Sequence, residues 1–72
     1  MNNQEPIRVG DRFEAANGRV WAVYRTRPGG VVEMMAEDRA LQCDRYTRDV
    51  RLMKRLEGKN ERALKFAQWT AR

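Results

Sequence analysis

Apolar and polar positions first alternate with the two-residue period of strands. Ile7-Arg8-Val9 alternates and then stops at Gly10-Asp11, a turn pair. Arg12 to Ala16 reads as a strand. Asn17-Gly18 sits between this run and the next. Both residues tolerate positive φ, so the pair predicts a tight hairpin with a type I′ turn. In Arg19-Val20-Trp21-Ala22-Val23-Tyr24-Arg25, Val20, Ala22 and Tyr24 fall on one face and Trp21 and Val23 on the other. Neither face is polar, so this strand is expected at the centre of a sheet, covered on both sides. The segment from Thr26 to Gly30 is a loop pinned at Pro28. Val31 to Ala36 predicts a third strand, with one of Met34 and Met35 in the core and the other on the surface. Glu37-Asp38-Arg39 is a turn with solvated carboxylates. Ala40 to Tyr46 predicts a fourth strand, with Leu41, Cys43 and Arg45 on one face.

From Thr47 the period changes. Val50, Met53 and Leu56 recur at i, i+3 and i+6, with Thr47 placed as an N-cap and Gly58 as a stop. Val50 and Leu52 also alternate, so residues 47–57 read either as a helix or as a fifth strand. Asn60 is placed to cap a helix from Glu61 to about Ala71, with Glu61 at its positive end. Phe66 and Trp69, at i and i+3, are expected to pack that helix onto the sheet. The alternative is that they stack on bases.

The predicted fold class is therefore α+β: a small antiparallel sheet or partly open barrel of three to five strands, followed by one or two C-terminal helices. Residues 1–72 form a single domain. It has a flexible tail over 1–6, a β-sheet part over 7–46, and a basic, mainly helical part over 47–72. The run VGDRFEAANGRVWAVYR resembles small Tudor- or KOW-type barrels, in which a Gly-Asp turn opens a strand and a second strand carries alternating apolar residues. The resemblance spans roughly residues 7–46. It implies a binding module for RNA, for ribosomal or polymerase surfaces, or for peptides.

Composition narrows the chemistry. The chain has one cysteine, Cys43, and no histidine or serine. A disulfide within the chain is excluded, and a transition-metal site is not expected. No nucleophile–base pair can be assembled from Ser, Cys and His, so no enzyme and no cofactor are expected. Cys43 reads as a small, half-buried strand residue. The start, MNNQEPIRVGD, lacks the apolar core of a signal peptide, and no run is long enough to span a bilayer. A cytoplasmic protein is expected, and a core this small makes a homodimer worth considering.

Charge adds an asymmetry. Residues 1–38 hold five basic and six acidic side chains, whereas residues 39–72 hold ten and four. An anionic partner is expected for the second half. On one continuous helix Arg48, Arg51, Arg55, Lys59 and Arg62 would fall within about 80°. Such a stripe can track phosphates. Arg25 and Arg27 are secondary candidates. A break at Gly58 would split the stripe into Arg48, Arg51 and Arg55, with Arg62 and Lys65 apart. The expected function is a small, non-enzymatic, nucleic-acid-associated regulator (RNA or DNA). The alternative is an adaptor or inhibitor of the phage or mobile-element type, acting on an acidic protein surface.

Overall fold

Five antiparallel strands and a covering helix carry nearly all the structure. The computed structural model describes residues 5–70, so most of the tail expected over 1–6 lies outside the described residues. The strands are β1 (Arg12–Glu14), β2 (Val20–Arg27), β3 (Val31–Ala36), β4 (Gln42–Tyr46) and β5 (Lys54–Leu56). Two helices are present among the described residues, α1 (Thr47–Val50) and α2 (Glu61–Thr70). The sheet order is β4-β3-β2-β1-β5, so the last strand returns to lie beside the first. The sheet is not closed, and β4 and β5 are its edges.

β2 is the middle strand, as its two apolar faces require. Trp21 and Val23 enter a core with Phe13, Val32, Met34, Ala36 and Val50. Ala22 and Tyr24 face the other way and meet Ala63 of α2, with Phe66 and Met35 packed alongside. The ring of Phe66 stands edge-on to that of Tyr24, with centroids 4.8 Å apart at 79°. Met34 is fully buried, and Met35 is half-buried against the second cluster rather than simply on the surface. A bulge at Tyr24 sets Arg25 opposite Glu33. Cys43 is half-buried against the main core.

Three local expectations are corrected. The Asn17-Gly18 hairpin forms, but Gly18 alone has positive φ (86°), so the turn is not type I′. The Gly18 N–H donates to the Ala15 carbonyl, and the Ala15 N–H donates to that of Arg19, so β1 ends early, at Glu14. Thr47 is not an N-cap. Tyr46 holds that position in extended conformation, and no side chain caps α1. Of the two readings of 47–57, neither holds throughout. One helical turn buries Val50, and the chain then becomes β5, paired with β1 as Phe13 opposite Arg55. The second half is therefore less helical than expected. Asn60 does cap α2: its Oδ1 accepts the Ala63 N–H at 2.8 Å.

Candidate functional site

Two carboxylates decide which basic residues are available. Asp11 is 7% exposed, in the turn ahead of β1. Its Oδ2 accepts the backbone N–H of Arg8 and Nη1 of Arg55, each at 2.9 Å, and its Oδ1 accepts Nζ of Lys59. The register explains Arg55. Opposite Phe13 it lies on the core side of the sheet, and its guanidinium covers the Phe13 ring at 4.9 Å. Burial pushes the Asp11 pKa up, but the bonds from Lys59, the Arg8 backbone and Arg55 outweigh it and leave the pKa below the usual value.

Glu37 was expected to be solvated, and that is corrected too. Its carboxylate accepts both Nε (2.7 Å) and Nη2 (3.0 Å) of Arg12, and Nδ2 of Asn60 (2.7 Å). The Arg12 guanidinium, against partial burial and with help from Asn60, holds the Glu37 pKa low. Both carboxylates are ionised more readily folded than unfolded. Their contribution to stability is therefore complete above the ordinary carboxylate range, near pH 4, and is lost as pH falls through their depressed values. Urea midpoints are expected to be level from pH 7 to about 5 and to drop steeply below about 4. Glu37→Gln should flatten that drop. An unchanged profile in the variant would show that Glu37 does not carry the acid sensitivity.

The continuous stripe does not form, because the chain turns at Gly58 (φ 86°) between β5 and α2. Arg55 and Lys59 are brought together on Asp11, not on an open face. Arg25 lies 3.7 Å from Glu33, and Arg27 bridges Glu33 (3.5 Å) and Asp44 (3.0 Å). Arg48 is 82% exposed on the side chain, 5.2 Å over the Tyr46 ring and 3.9 Å from Asp49. Arg51, half-buried, ends α1.

Arg62 stands elsewhere, on α2. Its Nη2 donates to the Glu37 carbonyl at 3.1 Å and approaches that of Ala36 at 3.5 Å, which fixes the guanidinium against the end of β3. Its charge is also among those that hold the Glu37 carboxyl pKa low. At 100° per residue, Arg62, Lys65 and Trp69 span about 60° of the helix, with Phe66 on their sheet side. Phe66 packs as expected. Trp69 does not: it is 79% exposed. Met35, Arg62, Lys65, Phe66 and Trp69 line a shallow cleft of about 320 Å³ that contains no carboxylate. Arg62 and Met35 also border a second hollow that reaches Arg39, Leu41 and Gln42; Glu37 and Asp38 line it too, and Arg39 lies 3.9 Å from Asp38.

The structure thus places an apolar cleft and a cationic rim along one flank of α2. Sequence reasoning grouped Arg62 with Lys65 for a chain broken at Gly58 and paired Phe66 with Trp69, but it missed Arg39 as their neighbour. The helical spacing of 62, 65 and 69 carried the first grouping. Nothing in the sequence pointed to Arg39, which the return of β3 into β4 brings near. Among the described residues no helix is long and apolar enough to cross a membrane. Compared with known proteins, the chain matches no family model, no curated sequence and no solved structure.

Proposed function

We propose that the protein is a non-enzymatic module that binds nucleic acid, with Arg39, Arg62 and Lys65 meeting phosphates and Arg48 as an outlying contact. The observation that carries this reading is the flank of α2. There Arg62 and Lys65 stand beside an exposed tryptophan and no carboxylate lines that cleft, while Arg39 lies in the adjoining hollow with Glu37 and Asp38. Arginine suits phosphate because its planar fork can donate two bonds to one anion. Arg25, Arg27, Arg55 and Lys59 leave the list of principal contacts, since each faces a carboxylate brought to it from another strand or turn. Arg39 and Arg48 also have a carboxylate nearby, that of the adjacent Asp38 or Asp49 at 3.9 Å, but their side chains are 58% and 82% exposed. The likeness to Tudor- or KOW-type barrels belongs to the same reading. The return of β5 to β1 supports it, since a rolled sheet needs such a return. A cytoplasmic setting, in keeping with the lone thiol, completes the proposal.

The apolar lining favours one rival. Met35, Phe66 and Trp69 with an arginine are the composition of a protein-interface hot spot, which an adaptor or inhibitor would use. Salt separates the two. Three or four phosphate contacts to a single strand release counterions, so affinity for a labelled oligonucleotide should fall about 20- to 50-fold between 50 and 200 mM NaCl. Fluorescence anisotropy measures this directly. Affinity that does not change with salt, or no binding at 50 mM, overturns the proposal.

A further inference from the structure

We infer that the cleft between α2 and β3 takes unpaired bases, so the protein selects single strands over duplex. This rests on the nucleic-acid reading above and adds what the phosphates alone do not specify. Trp69 is one of two tryptophans in the chain, and Trp21 is buried in the core. A domain of 72 residues that leaves its other tryptophan 79% exposed gives up a large apolar area that burial would have used. The indole is not isolated. Phe66 and Met35 line the same cleft, so a flat group laid against Trp69 meets apolar surface on a second side.

The cations define what that group belongs to. Lys65 precedes Trp69 by one helical turn and Arg62 by two. Along the axis the rise places them about 6 and 10 Å away. Arg62 is held in place by the Glu37 carbonyl, so the rim is partly ordered before any ligand arrives. A ligand that fits has a flat apolar face and negative charge repeated along a chain. A single-stranded nucleic acid offers both. In a duplex the base faces are covered by their neighbours, and an aromatic on a convex helix flank cannot reach them.

The test uses the full chain at 50 mM NaCl with three labelled probes: a mixed-sequence 16-mer, the same 16-mer as duplex, and an abasic strand of equal length. The single strand should bind about 10-fold or more tightly than the duplex and quench tryptophan fluorescence. Trp69→Ala should lose about 5- to 100-fold in affinity for the single strand, whereas Trp69→Phe keeps most of it. Trp69→Ala should bind the abasic strand as the parent does. Because Trp69 is exposed, its urea midpoint should be unchanged, which separates lost stacking from lost folding. Equal binding of duplex and single strand, or parental affinity in Trp69→Ala, overturns the inference. Salt-dependent binding would then persist and leave the phosphate reading intact. If no nucleic acid binds and an acidic amphipathic peptide quenches Trp69 instead, both fail.

Discussion

Asp11→Ala should lower the melting temperature by about 10–25 °C, a loss of about 2–4 kcal/mol for a domain of this size. The carboxylate is the only acid touching Arg55 and Lys59 among the described residues, and it also holds the Arg8 backbone. Its removal leaves a guanidinium 23% exposed on the side chain, next to an aromatic ring, without a counter-charge. Removing one partner of a buried pair costs more than the pair contributes, because the other charge stays desolvated. The loss is kept below the full buried-pair figure because Lys59 is half in water. Domains of this size typically have about 4–11 kcal/mol of stability, so the loss is a large share of the total, and a parent at the low end of that range would be close to unfolding. Calorimetry checks it, and a melting temperature within about 2 °C of the parent would show that Asp11 does not fasten the chain.

Gly10→Ala is expected to be nearly as damaging, at about 2–3 kcal/mol, whereas Gly29→Ala should cost only about 1 kcal/mol. Both glycines have positive φ, 94° and 89°, so an added side chain meets the same backbone penalty. Their surroundings differ. A Cβ on Gly10 would sit 3.0 Å from Cδ2 of Leu64 and 3.1 Å from Cδ of Lys59, while nothing lies within 4 Å at Gly29. Gly10 also has both backbone groups engaged. Its N–H donates to the Val23 carbonyl at 2.7 Å, and its carbonyl accepts from Asn60 at 2.9 Å. Urea denaturation of the two variants side by side isolates the packing contribution, and equal losses would refute it.

What the sequence reveals tracks how local each cause is. β2 was legible as the central strand because its own residues carry two apolar faces. The bounds of β3 and the Asn60 cap were legible for similar reasons. The turn type at Asn17-Gly18 was not, because a longer loop with one left-handed glycine fits the same residues. The fate of 47–57 was not legible either. Val50, Met53 and Leu56 have a helical period, yet Phe13 and Asp11, over forty positions away, draw Arg55 into a strand. Charge counting failed for the same reason. A basic residue looks available until the fold sets a carboxylate beside it, as with Arg55, Lys59 and Arg27. Asp11 and Glu37 looked like ordinary turn residues, and only the tertiary structure shows what they hold. Trp69 shares a helical face with Phe66, but the sheet beneath meets only Phe66.

The return of β5 to β1 has a consequence for synthesis. β1 emerges from the ribosome first, yet one of its two neighbours and both side-chain cations on Asp11 lie between residues 54 and 59. A nascent chain that has reached only β4 can pair β2 with β3 and β3 with β4, all neighbours in sequence. It then holds Asp11 without its counter-charges, and α2 is still missing from the second face of β2. Closing that long loop costs entropy that only the final segment can recover. The earliest strand is completed last, and no nascent chain that ends before residue 59 contains both sides of the fastening.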